Sequence, residues 1–368
     1  MIIFILIFIF SSSFSLHAHD RLTLENAEII DMVVYKKGDE KPFNGLFYTK
    51  IPEDEVFMET TIKNGISHGL QRIFHSNGNL KNRVFWVDGM RQGTSTFFDK
   101  NGKITERYFI VDNEYNGPSE SYDENGNITI QSNFKGGLLH GQSTKFDNDK
   151  IVSRIDYIDG KIDGYLKHYF DNGLIELKVT FKNDLEEGLF ERFYDNGSLS
   201  GRGFFENGKK QGRFEWFHKN GNRSSILFYE NDKMEGLIEW FNEDGSLDSQ
   251  IQYSNGLMHG ITKIYYATGE LKNIYNYIED KKYGDSIQYY KTGETQCLSH
   301  FINDLKEGEW ICYFKDGEVQ TKATFIDNEK HGAQVFYNKD GSVDKEIFFI
   351  KGVKVSNPSN DPKRNASF

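Results

Sequence analysis

Apolar and polar residues alternate along this chain in short runs, and each run is closed by a turn containing glycine, asparagine or aspartate. Alternation over about six to eight residues reads as a β-strand, because a helix needs a longer stretch with a 3.6-residue period. A glycine recurs at 45, 69, 93, 117 and 141, then at 164, 188, 212, 236, 260, 284, 308 and 332, so every step is 24 residues except one of 23. Nine residues after most of these lies a second glycine in a turn, as at Gly78, Gly173, Gly197, Gly317 and Gly341. Nineteen and twenty residues after the first glycine come pairs such as Asp88-Gly89, Asn207-Gly208 and Asn303-Asp304. Such pairs tolerate the positive φ of two-residue hairpin turns. The short step coincides with DNDK at 147–150, where a turn has lost one residue.

Each unit therefore predicts two reversals and two strands. An aromatic stands five residues after the first glycine in every unit from Phe74 and Phe98 to Phe193, Phe217, Phe241 and Tyr337. A second aromatic column runs through Trp86, Phe134, Phe205, Tyr229, Tyr253 and Phe349, and an aliphatic column through Leu80, Ile104, Leu199, Leu247 and Val343. Pairing across a three-residue loop such as Ser76-Asn77-Gly78 puts the first aromatic and the aliphatic residue on one face, the expected core, and a bulge at the first glycine could bring the second column onto it. One hairpin cannot bury an apolar face alone, so units must stack. The expected fold is all-β: an elongated array of about 12 to 13 stacked β-hairpin repeats forming a twisted antiparallel sheet.

The 368 residues divide into an apolar leader at 1–19, an N-terminal cap with a degenerate first repeat at 20–66, repeats at 67–354 and a polar tail at 355–368. MIIFILIFIF followed by SSSFSLHAHD has the form of a secretory signal peptide and implies an extracytoplasmic protein: periplasmic, on the outer surface or secreted. Ten apolar residues are too few to span a bilayer. The net charge of −11 disfavours nucleic acid and anionic membrane surfaces as partners. Cys297 and Cys312, in neighbouring predicted strands, are compatible with one disulfide or with two small core residues.

The units HGLQRIFHSNGNLKNRVFWVDGM at 68–90 and EGLFERFYDNGSLSGRGFFENGK at 187–209 resemble the MORN repeat variant, and the likeness extends over 45–352. With the KKGDEKPFNG segment at 36–45, the chain is also similar to the YwqK-type antitoxin family. The resemblance implies a twisted antiparallel sheet, a role in binding and no enzyme activity, with toxin neutralisation or scaffolding as the family roles.

Candidate chemistry is sparse. His68, His140, His259 and His331 each precede a repeat glycine, which fits turn residues in phase with the repeat better than converging metal ligands. Asp88, Asp112, Asp159 and Asp304 sit in turns, where turn formation explains them. No hydrolase elbow, zinc-protease, phosphate-loop or calcium-loop motif occurs, so no catalytic, metal or cofactor site is expected. The exception to the polar pattern is Trp216 and Trp240, equivalent positions of consecutive units. Alternation sets them beside Phe190, Phe214 and Ile238 on the face opposite the first aromatic column, an expected exposed contact surface. The expected function is a non-catalytic secreted or periplasmic scaffold that binds a protein partner. The alternatives are an immunity protein against a toxin and a cell-surface carbohydrate binder.

Overall fold

The computed structural model describes residues 20–51 and 56–356. The leader at 1–19 and nearly all of the tail from 355 lie outside them. The chain divides into two compact units, Met1–Asp163 and Gly164–Phe368. Both are β-structure, and the one helix among the described residues is a single 3-10 turn, Leu24–Asn26.

In the first unit, strand Arg21–Thr23 pairs in parallel with Gly45–Ile51, which then forms a hairpin with Val56–Lys63. A separate small hairpin joins Ala27–Ile30 to Val33–Lys36. Leu22, Ala27, Val34, Phe43, Phe47 and Ile62 make a core of their own here. From Ile66–Phe74 onward the strands form an antiparallel meander in which each pairs with the next, through Leu80–Val87, Met90–Phe98 and Ile104–Val111 to Lys150–Ile158. The second unit repeats that meander up to Val353–Val355.

The two predicted reversals recur in each unit. At the longer turn, Tyr194 N–H donates to the Ser198 carbonyl (2.8 Å) and Gly197 N–H to the Tyr194 carbonyl (2.9 Å). Successive longer turns are tied together: Asn172 Nδ2 donates to the Asp195 carbonyl (2.7 Å) and the Tyr194 hydroxyl to the Phe217 carbonyl (2.7 Å). At the shorter turn both central residues have positive φ, as in Asn231 (50°) and Asp232 (70°). Asp232 Oδ1 accepts from the Lys210 N–H (2.8 Å), which is why asparagine or aspartate serves there as well as glycine. The deletion at 147–150 has turned a longer reversal into the short kind, with positive φ at Asn148 and Asp149, and Phe146 still faces Ile151.

In many repeats the residue before the repeat glycine caps the next short turn. Glu187 Oε2 accepts from the Asn207 N–H and Glu235 Oε2 from the Asn255 N–H, both at 2.7 Å. His68 and His140 occupy this position, their Nδ1 atoms 3.1 and 3.3 Å from the carboxylates of Asp88 and Asp159. The glycine itself sits at a bulge. The ladder steps from Arg83↔Thr96 to Phe85↔Gln92, leaving more residues on the strand that holds Gly93, whose φ is +77°.

The bulge does not bring the two aromatic columns onto one face. Gly212 pairs with Tyr229 and Phe214 with Leu227, so the second column shares the face of Phe214 and Trp216. Phe217, of the first column, lies on the other face beneath the guanidinium of Arg202 (5.9 Å), and Tyr265 likewise meets Gln250 there. The main apolar cluster of the second unit is therefore Phe205, Phe214, Leu227 and Ile238, backed by Phe190, Trp216, Tyr229, Met234 and Tyr253. It lies on the tryptophan face. That corrects the expectation that the first aromatic column faces the core.

Candidate functional site

The five apolar residues singled out in the sequence do share a face, but they divide into floor and rim. Phe214 is 1 % exposed and Ile238 0 %, so neither presents a surface. Two glycines make this depth attainable: a Cβ on Gly203 would overlap the Phe214 ring, and one on Gly201 the Trp216 indole. Both side chains lie flat on backbone, and rings close the remaining sides. Phe214 meets Phe205 at 5.7 Å and Tyr229 at 5.1 Å, both edge to face, and Phe190 meets Trp216 at 6.0 Å. Nothing in the one-dimensional pattern signalled this burial except the unusual Gly201 and Gly203 in mid-strand, which mark close approach of another group.

Trp216 and Trp240 remain accessible, Trp240 at 42 %. Both are ladder partners of the same residue, Ser225, which lies on the strand between them. Strand spacing of about 4.8 Å sets the two indole-bearing backbones roughly 10 Å apart. A serine between them is too small to fill the space. The result is a trough of about 890 Å³ that runs toward the longer turns, with Tyr194, Leu227 and Tyr229 also in its lining. Its rim carries two ion pairs, Arg192 with Glu176 (3.6 Å) and Lys219 with Asp195 (2.7 Å). Lys219 holds the Asp195 carboxyl below the usual carboxylate range by hydrogen bond and charge. Aromatic walls with polar groups at the edge suit a ligand that is apolar on one side and hydrogen-bonding on another.

The disulfide position lies elsewhere. Cys297 and Cys312 face each other as ladder partners of strands Thr295–Ile302 and Leu305–Tyr313 and are bonded to each other. Cys312 is buried and takes no part in the trough. Among the described residues no group of three or more His, Cys, Asp or Glu side chains converges as a metal-ligand set.

Fold and site define a β-hairpin repeat protein with an aromatic trough on one sheet face. The repeats are of a known kind: the family model described as MORN repeat variant matches seven segments, 67–88, 115–135, 186–209, 210–231, 234–255, 258–279 and 306–327. Units outside those segments keep the same register, as in Gly284↔Phe301 and Tyr289↔Thr295. No curated protein matches the chain. Among solved structures, the chain is similar to the crystal structure of TcdB2-TccC3-TEV at 11 % identity, covering 87 % of this chain and 22 % of that one, with a TM-score of 0.16. It is also similar to a Tc holotoxin pore of Photorhabdus luminescens at 10 % identity, covering 86 % and 21 %, again with a TM-score of 0.16. The chain thus spans about a fifth of those chains, and at these scores the similarities do not bear on what it does.

Proposed function

We propose that the chain is a non-catalytic scaffold, working outside the cytoplasm, that holds a protein partner in the trough between Trp216 and Trp240. The observation that carries this reading is the pair of accessible indoles flanking Ser225 above a buried aromatic floor. Tryptophan in a rigid, partly desolvated setting is a frequent anchor of protein contacts, worth about 2 kcal/mol or more when truncated. The Cys297–Cys312 bond supports an oxidising compartment. A toxin, the partner implied by the YwqK-type likeness, would use the same surface.

The test is affinity capture from the native host with the full chain and with Trp216→Ala and Trp240→Ala, together with mass spectrometry of the mature N-terminus. A defined protein recovered by the native chain and lost in both variants is expected, with cleavage near residue 19. Capture unaffected by either substitution would overturn the assignment of the trough. The same walls also suit a sugar ring stacked on an indole, so binding on a glycan array that Trp240→Ala abolishes would instead make this a carbohydrate scaffold.

A further inference from the structure

We propose that the opposite face of the same strands is a second contact surface, built for a protein segment that carries both apolar and acidic side chains. It stands apart from the tryptophan trough and concerns residues that neither the trough nor the apolar cluster uses. At its centre is Glu215, buried against the sheet. Three arginines converge on its carboxylate: Arg202 Nε at 2.7 Å from Oε2, Arg213 Nη2 at 2.9 Å and Arg223 Nε at 3.3 Å from Oε1. Burial alone would raise the Glu215 carboxyl, but the Arg202 hydrogen bond and charge, with the charges of Arg213 and Arg223, outweigh it and hold it below its ordinary value. Glu215 is thus an anion that Arg202 hydrogen-bonds and that draws Arg213 and Arg223 to it by charge.

Donor counting shows what is left over. A carboxylate offers about four acceptor positions, whereas three guanidiniums offer about fifteen N–H donors. All three arginine side chains are about half exposed, so the unused donors point to solvent. Of the neighbouring acids on this face, Glu191 is paired with Lys178 Nζ (3.0 Å), whereas Glu239 accepts from the neutral Gln250 Nε2 (2.9 Å) and keeps its charge. The three arginines, Glu215 and Glu239 thus sum to one positive charge, on a chain whose net charge is −11.

The surroundings are apolar and open. Arg213 is the ladder partner of Phe228, which is 39 % exposed, and Leu189 is the ladder partner of Phe204, 47 % exposed. Leu237 adjoins Phe228. Exposed apolar residues gathered around preorganised cations differ from scattered surface hydrophobics and have the composition of a contact core. Charge complementarity selects the occupant. A carboxylate can take the vacant arginine fork bidentately while its apolar neighbours cover the phenylalanines.

The experiment titrates the full chain into a fluorescein-labelled peptide of about eight interspersed Leu and Glu residues, read by anisotropy, beside the same peptide with Lys for Glu. Saturable, salt-weakened binding of the acidic peptide and none of the basic one is expected. Arg213→Gln and Phe228→Ser should each weaken it by about tenfold, the change expected for a loss of about 1.4 kcal/mol. Trp240→Ala should leave it unchanged, which separates this surface from the trough. Equal binding of both peptides, indifference to Arg213→Gln, or no saturable binding would overturn the proposal. So would a dimer in sedimentation that Phe228→Ser dissolves, since the occupant would then be a second copy of the chain.

Discussion

The same interior column is filled in opposite ways in the repeats of the first unit and in the early repeats of the second. Two residues beyond the repeat glycine, the first unit places Ser95, Ser119 and Ser143, and the second places Phe190, Phe214 and Ile238, followed by Thr262, Ser286, Trp310 and Gln334. The register is nevertheless the same: Gly93↔Ile110 with Ser95↔Tyr108 in one, Gly212↔Tyr229 with Phe214↔Leu227 in the other. In the first unit hydroxyls satisfy one another, Ser132 Oγ lying 2.7 Å from Ser143 Oγ and Asn82 Nδ2 donating to Ser95 Oγ at 3.1 Å. Bulk comes from the partner strand instead, where burial, with the charge of Glu106, pushes the Tyr108 phenol up to about 12. Turns and bulges therefore set the register whatever fills the column. The filling decides where the sheet face is rigid and where a trough opens.

The largest effect comes from emptying the aromatic column. Phe214→Ala should cost about 3–5 kcal/mol in denaturant unfolding, with hydrogen exchange accelerated in the second unit and unchanged in the first. Reducing the Cys297–Cys312 bond, which closes a fifteen-residue separation, should lower the stability of the second unit by up to about 3 kcal/mol, read as a shift in its thermal midpoint under reductant. Gly203→Ala should cost about 1–3 kcal/mol, because the Cβ meets the Phe214 ring, whereas Ser132→Ala in the first unit should cost only about 0.5–1.5 kcal/mol for one hydroxyl contact. A larger loss from Ser132→Ala than from Phe214→Ala would reverse the comparison.

The smallest effect is one of pH. The Glu215 carboxyl is depressed in the folded chain, so its stabilisation is fully present above the unfolded value of about 4.3 and is lost as pH falls through the lower folded value. Glu215→Gln should flatten that part of the acid-unfolding curve of the second unit. An unchanged acid limb would show that the three arginines do not act through this carboxylate.

Much of this was legible in the sequence. The glycine and asparagine positions specify where positive φ is needed, and positive φ leaves few turn types, so hairpins, bulges and even the short turn at Asn148-Asp149 follow from spacing. The grouping of Phe190, Phe214, Trp216, Ile238 and Trp240 on one face follows from alternation alone. Which face holds the core did not follow. That depends on the pairing of Gly212 with Tyr229 across strands, and a bulge of either phase is compatible with the same pattern.

The surface around Glu215 was missed for a related reason. Arg202, Glu215 and Arg223 read as three ordinary charges in three strands, and only the ladder brings them together. Phe204 and Phe228 each stand beside a second-column aromatic and look like part of it, although adjacent strand residues point to opposite faces. The sequence by itself determined the turns, the period and the class of fold, because those rest on local backbone conformation. The buried floor under Trp216, the gap at Ser225 and the arginine cluster were decided only by the tertiary structure, because each joins residues of neighbouring strands across a turn, such as Gly201 and Trp216, Ser225 and Trp240, or Arg202 and Glu215.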